Sequence, residues 1–243
     1  MKVSATELKN YFGKYLEACK DEAILITKND RVVAKLSSYE DSSDGYLMFK
    51  EGSAAYTYAG KRVTYEEFRR IVDNNEERYE FIGGSIYLMS SPGMTHQLIH
   101  ANIYSHLVNW LKDKKCRVFS APFDVTLAND ELRSINVVQP DLLISCDYLE
   151  HHDANDRYTG IPALVIEILS PNTRSMDQVK KLNVYLDGGV SEYWVVDPRD
   201  RKVTLYYFVE RQLEDMNLIS YPDVVKSIHF KGLEVPTADI FAE

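Results

Sequence analysis

The segment that most constrains this 243-residue chain is ALVIEILS, residues 163–170, which is apolar on both sides of a pleat and still carries an acid, Glu167. A strand of that kind belongs inside a sheet covered on both faces, so the chain needs layers on either side of it. VVQPDLLIS, residues 137–145, has the same character and carries a second acid, Asp141. CRVFSAPFDVTL, residues 116–127, is a third strand-like run, and the three are expected to share one sheet.

The flanking segments supply the covering layers. Thr64 with Glu67 three residues on caps a short amphipathic helix to Asp73. YEFI and SIYLMS flank Gly83-Gly84, the signature of a two-residue hairpin. Leu98, Ile99, Ile103, Leu107, Val108 and Leu111 recur at helical spacing, which predicts a long helix from His96 to Lys112. A second helix is predicted from Asp177 to Leu186, and SEYWVVD pairs with KVTLYYF across Pro198-Arg199-Asp200. The expected architecture is α/β (α+β), a mixed central sheet flanked by helices.

The first forty residues read differently. Ser4 and Glu7 have the spacing of a capping box, and Leu8, Phe12, Tyr15, Leu16 and Cys19 then mark the apolar face of a helix to about Lys20. AILIT, the turn Lys28-Asn29-Asp30 and RVVAKL follow as a hairpin. SSYEDSSD, residues 37–44, is polar. The expected organisation is a helix-plus-hairpin domain over residues 1–45, a linker over 46–60 and the larger domain over 61–243.

Of the 28 basic and 37 acidic residues, seven and eight fall within residues 1–44, so the net charge of −9 resides mostly in the larger part. An acidic surface repels a phosphate backbone and speaks against nucleic acid, except for carboxylates whose charge a cation would cancel. No apolar run reaches the roughly 18 residues of a membrane span, and the first ten residues lack the apolar core of a signal peptide, so the expected location is cytoplasmic. Cys19, Cys116 and Cys146 are odd in number and lack metal-ligand spacing, and read as buried thiols.

Burying the Glu167 carboxylate costs several kcal/mol, on the order of the desolvation of an unpaired ion, unless a cation or donor meets it. Two solutions stand side by side on spacing alone. Asp141 can cap the turn after Pro140 while Glu167 pairs with a cation across the sheet; or the two acids can hold Mg2+, which suits phosphodiester hydrolysis. Asp177, Lys181 and Tyr185 share one helical face just beyond the Glu167 strand, which lets a lysine approach the acids. His96 and His100 have a spacing open to zinc but no evident third ligand. His151-His152 reads as a solvated loop, and Lys112, Lys114, Lys115 and Arg117 as complements to a helix C-terminus.

The run YEFIGG, SSPGMTHQ, VVQPDLLI, LVIEILSPNTR, the Asp177-to-Lys181 spacing and GVSEYWVVDP resembles the Uma-type restriction endonuclease family, a branch of the PD-(D/E)XK nuclease superfamily, over almost all of residues 61–243. The resemblance implies a restriction-endonuclease-like fold and a metal-dependent endonuclease that hydrolyses phosphodiester bonds in DNA with Mg2+ or Mn2+. It makes Asp141 and Glu167 the two acids and Glu80 and His96 the upstream polar residues. It also implies a metal held by Asp141, Glu167 and the carbonyl of Ile168, with Glu80 as a further or water-mediated ligand. The usual lysine position, two residues past the second acid, holds Leu169 here, so the resemblance implies that Lys181 acts from the neighbouring helix, an arrangement that Gln139 before Pro140 also fits. IGG stands where the family more often has an acid or Asn before the last glycine. His96 admits two roles, phosphate contact or proton transfer on one side and a structural donor at a helix start on the other.

MKVSATELKNYFGKYLE with ILITKNDRVVAKL resembles the Phd/YefM antitoxin family, whose matching segment dimerises and binds operator DNA. This implies a homodimer and DNA contacts at Lys9 and Arg31, although Lys9 reads equally as a solvated helix lysine. The toxin-wrapping tail is replaced by the larger domain, which puts a toxin partner in doubt. A second functional reading follows: a non-enzymatic antitoxin-like repressor whose larger domain keeps the nuclease fold without the chemistry.

Overall fold

The structure is a computed structural model that describes residues 2–19, 24–28, 31–36, 60–154, 157–170 and 180–242. The chain divides into two compact units, Met1–Asp44 and Gly45–Glu243. No helix among the described residues is long and apolar enough to cross a membrane.

The first unit runs β1 (Lys2–Ser4), α1 (Ala5–Asn10), α2 (Phe12–Ala18), β2 (Ile24–Lys28) and β3 (Arg31–Leu36). The Ser4 hydroxyl accepts from the Glu7 amide at 3.1 Å and starts α1 as expected. The Glu7 carboxylate accepts instead from the Tyr15 hydroxyl at 2.6 Å, tying α1 to α2. The single helix expected to Lys20 is two, broken at Tyr11 (φ −130°, ψ 36°), two residues before a poor helix former, Gly13. β2 pairs antiparallel with β3 as the sequence suggests, and parallel with β1, a strand too short to show in the sequence. Asn29 and Asp30 lie outside the described residues. Val3, Tyr15, Cys19 and Ile24 form a small core, while Phe12 and Leu16, expected on the buried face, are exposed.

In the second unit α3 (Tyr65–Asp73) begins at a complete capping box between Thr64 and Glu67. β4 (Tyr79–Ile82) and β5 (Ser85–Leu88) form the hairpin, with Gly83 at φ 58° and Gly84 at φ 82°, values that glycine adopts without strain. The long helix is α4 (Met94–Leu111). β6 (Arg117–Ser120), β7 (Val125–Asn129), β8 (Ser134–Val138), β9 (Leu142–Ser145) and β10 (Leu164–Ile168) follow. Then come α5 (Lys181–Asp187), β11 (Glu192–Asp197), β12 (Lys202–Val209), β13 (Gln212–Ser220), β14 (Val224–Lys226), β15 (Glu234–Pro236) and α6 (Thr237–Ile240). Asp177 and most of the expected 46–60 linker lie outside the described residues.

The central sheet is mixed, in the order β13-β12-β11-β10-β9-β6, with β10 and β11 parallel and its other pairs antiparallel. A second, antiparallel sheet has the order β5-β4-β8-β7. The three apolar runs therefore do not share one sheet. The chain passes from the central sheet to the second between β6 and β7, near Pro122, and returns between β8 and β9, at Pro140. Proline has no N–H to continue a ladder, and it marks both crossings.

Ile99, Ile103, Leu107 and Leu111 of α4 cover one face of the central sheet, against Leu142, Ile144, Leu164, Ile166 and Ile168. On the other face Leu143, Val165, Leu169, Tyr193 and Val195 pack with Val184 and Tyr185 of α5 and with Val125 and Leu127 of β7. Alternation along β10 assigns Glu167 to this second face. Cys116 and Cys146 are disulfide-bonded, which corrects the reading of three thiols. The β6–β9 ladder pairs Arg117 with Ser145, and one further step sets the two cysteines opposite each other with Cα atoms 4.0 Å apart. Cys19 is a buried free thiol.

Candidate active site

The return crossing at Pro140 sets the ends of three strands together. Glu80 on β4, Glu167 on β10 and Lys181 at the start of α5 are each about 97 % buried or more. The Lys181 Nζ lies 2.8 Å from Glu167 Oε1 and 3.0 Å from Glu80 Oε1, bridging the two carboxylates. Each of those oxygens also accepts from a neutral donor. The Tyr185 hydroxyl reaches Glu167 Oε1 at 2.5 Å, one turn along α5 from Lys181. The Gln139 amide reaches Glu80 Oε1 at 2.8 Å, because Gln139 leaves β8 just as the chain turns into Pro140. Burial above all, and the adjacent Glu167 charge, push the Tyr185 phenol well above its ordinary value, so it remains a donor.

Asp141 is held from the other side. Its Oδ2 accepts from the Ile168 amide at 2.7 Å and lies 3.1 Å from His96 Nε2; a carboxylate only accepts, so that nitrogen carries the proton. His100, one turn along α4, places Nε2 3.2 Å from the Asp141 carbonyl. Burial lowers the His100 pKa, the nearby Asp141 opposing it, so this imidazole favours the neutral form. The i, i+4 histidine pair thus grips one residue at its side chain and its backbone, a use different from the zinc spacing considered above.

A neighbouring pair docks the start of α5 on the hairpin. Glu80 is directly opposite Tyr87 in the β4–β5 ladder, so both side chains emerge on one face. Lys181 meets Glu80, and Lys180 meets Tyr87, with Nζ 2.8 Å from the hydroxyl and 4.8 Å from the ring centroid. Two consecutive lysines are thereby set over two paired hairpin residues.

The donor set suits a hard divalent cation in kind, being carboxylate and amide oxygen. Gln139 Oε1 supports the fit: it is buried without a hydrogen-bond partner, while Gln139 Nε2 is committed to Asp124 Oδ1 at 2.8 Å. An orphaned acceptor beside Glu80 is what a cation's water would satisfy. As the side chains stand, no three acidic, histidine or cysteine side chains among the described residues converge on one point, because Lys181 lies between Glu80 and Glu167 and Asp141 is turned to His96 and Ile168.

The structure thus brings Glu80, Glu167 and Lys181 into direct contact and joins His96 and Ile168 to Asp141. Ile168 does so through its N–H, whereas its carbonyl was the atom expected to matter. Leu169 is part of the apolar layer around α5. Lys9 is exposed in the last turn of α1, and Arg31 opens β3 with its side chain outside the described residues. No local pattern announces the Gln139–Asp124 contact or the Lys180–Tyr87 latch, since each joins residues that lie at different elements.

Residues 65–238 match the model of the Uma2 family, described as "Putative restriction endonuclease". An uncharacterized protein of Synechocystis, slr1290, is 23% identical over 147 residues, which is 60% of this chain and 74% of that protein. A crystal structure from Anabaena variabilis, of a "putative nuclease belonging to DUF820", superposes with a TM-score of 0.61 at 21% identity, over 74% of this chain and 98% of its own.

Proposed function

From the premise that this chain belongs to the Uma2 family and has the fold of the DUF820 nuclease, we propose that its larger unit is a metal-dependent endonuclease acting on DNA. The observation that carries this reading is the buried ammonium bridge between Glu80 and Glu167, beside an orphaned Gln139 acceptor. Structural ion pairs are seldom built from two acids around one lysine in an apolar layer, because the desolvation is costly.

In this reading Asp141, Glu167, Glu80 and the Ile168 carbonyl hold Mg2+ or Mn2+. A divalent cation supplies charge stabilisation at the phosphoryl group and acidifies a bound water. Tyr185 fixes the Glu167 carboxylate, and His96 and the Ile168 amide fix Asp141. Gln139 Oε1 would accept a hydrogen bond from a water held at this seat and so help to orient it. Lys181 places a positive charge against the oxygens that become more negative as the phosphodiester bond breaks. The first unit supplies dimerisation and DNA contact, with Lys9 and Arg31 at the duplex; a head that binds even weakly raises the local concentration of substrate.

Plasmid cleavage by the full chain with Mg2+ tests the proposal. The parent nicks or linearises DNA, whereas Glu167→Ala and Lys181→Ala lose the activity by about a thousandfold or more, as removal of groups that stabilise transition-state charge does. DNA binding without metal-dependent cleavage by the parent would instead favour the repressor reading. The net charge of −9 is the observation on that side.

A further inference from the structure

Lys181 is the one described cation placed between the two buried glutamates, and its position raises a conflict that the proposed function does not resolve. One oxygen of each carboxylate proposed to face a divalent ion, Glu80 Oε1 and Glu167 Oε1, is already bonded to the same ammonium. Metal–oxygen distances for Mg2+ are about 2.1 Å. An ammonium and a divalent cation cannot share two oxygens at such distances, because the two like charges would be about as close to each other as each is to its ligands.

We propose that Lys181 is a tethered counter-ion: it bridges Glu80 and Glu167 while no metal is bound, and gives up that bridge when a divalent cation is taken up. The inference rests on the metal-dependent reading above. Three features of the site support it. First, the ammonium satisfies the two acids in a layer otherwise lined by Val165, Leu169, Val184 and Tyr193, where carboxylates without a cation would be strongly destabilised. Second, Asp141 is held apart by its own partners, the Ile168 amide and His96, so the third acid need not collapse onto the other two. Third, the start of α5 is fixed on the hairpin by Lys180 and Tyr87, so the exchange moves the Lys181 side chain and leaves its backbone in place.

The exchange also gives one residue two duties. While the seat lacks a metal, Lys181 neutralises the acids. Once released, the same ammonium remains within a side chain's reach of the seat and is available to a phosphate oxygen. A lysine two residues past Glu167 would be rooted at the end of β10; one on the first turn of a helix docked beside the strand has a longer arc through which to swing.

The test is Mn2+ binding to the full chain, followed by electron paramagnetic resonance, for the parent, Lys181→Met and Lys181→Arg, with thermal unfolding of each in EDTA and in Mg2+. Lys181→Met should bind Mn2+ at least tenfold more tightly than the parent, unfold at a lower temperature in EDTA and gain more from Mg2+ than the parent does. Lys181→Arg, which keeps the competing charge, should remain near the parent's affinity. Equal or weaker Mn2+ binding by Lys181→Met overturns the exchange while leaving the metal site intact. A Lys181→Met chain that folds only with Mg2+ supports it, and one that stays unfolded with and without metal contradicts it. Absence of Mn2+ binding in all three proteins sinks the metal-dependent reading itself, and the exchange with it.

Discussion

Glu167 and Glu192 occupy neighbouring parallel strands of one sheet, are equally buried, and are solvated by opposite means. Glu192 accepts from Trp194 Nε1 at 2.6 Å, Ser227 Oγ at 3.1 Å, the Ile228 amide at 2.8 Å and the His229 amide at 2.7 Å. These donors are neutral and mostly backbone or ring, so their positions belong to the fold itself. Glu167 meets an ammonium and a phenol, and shares the ammonium with Glu80. The fixed shell makes Glu192 a clasp between β11 and the 227–229 segment. The shared, side-chain-borne shell makes Glu167 part of an arrangement that can change partners. The difference teaches that burial of an acid is a weak sign of function, and that the kind of donor around it is a stronger one.

Stability separates the two most sharply. Glu192→Gln turns two acceptor oxygens into one and faces an NH2 against donors, and should cost on the order of 2–4 kcal/mol in chemical denaturation, the scale of lost charge-assisted hydrogen bonds in a buried site. Glu167→Gln in EDTA should cost less than about 1 kcal/mol, because Lys181 keeps Glu80 as its partner and two acids no longer divide one ammonium. Equal losses for the two variants would erase the distinction.

A smaller effect comes from a third carboxylate, at the far end of β9. Asp147 accepts from Tyr158 at 2.6 Å and from Ser145 at 2.8 Å, with His151 3.1 Å away. Its partial burial works to raise the pKa, but those hydrogen bonds and His151 outweigh it and lower the pKa below the ordinary aspartate value. A carboxyl lowered by folding stabilises the native chain above its unfolded pKa, near 4 in rough terms, and that contribution is lost as the pH falls through the folded value. Asp147→Asn should therefore lose less stability than the parent as the pH falls below about 4, by under about 1 kcal/mol given its exposure. An unchanged acid limb would show that Asp147 resembles neither buried glutamate in its energetics.

What could be read from the sequence follows physical range. The α3 capping box, the Gly83-Gly84 hairpin and α4 are set by contacts within a few residues, and periodicity and cap chemistry revealed them. The division of VVQPDLLIS between two sheets was missed, because an apolar run does not say which neighbour it will join; Pro140 was the available clue. The Cys116–Cys146 bond depends on the β6–β9 register, which an odd cysteine count conceals. In the site, acids within apolar strands announced Glu167 and Asp141, and helical spacing placed Tyr185 beside Lys181. Glu192 carries the same mark in the sequence block SEYWVVD, but three of its four donors come from a segment some 35 residues further along, Ser227, Ile228 and His229, which nothing local announces.

The most direct measurement is the Mg2+-dependent cleavage rate of Glu167→Gln and Glu192→Gln, each corrected for its folded fraction and set against the parent. If Glu167 belongs to a cation-taking hydrolytic site and Glu192 to a clasp, the first variant loses the rate by about a thousandfold, on the scale of a lost transition-state contact, and the second retains it within a few-fold. Comparable rates for both variants, or loss in both, would contradict the assignment of the chemistry to Glu80, Glu167 and Lys181.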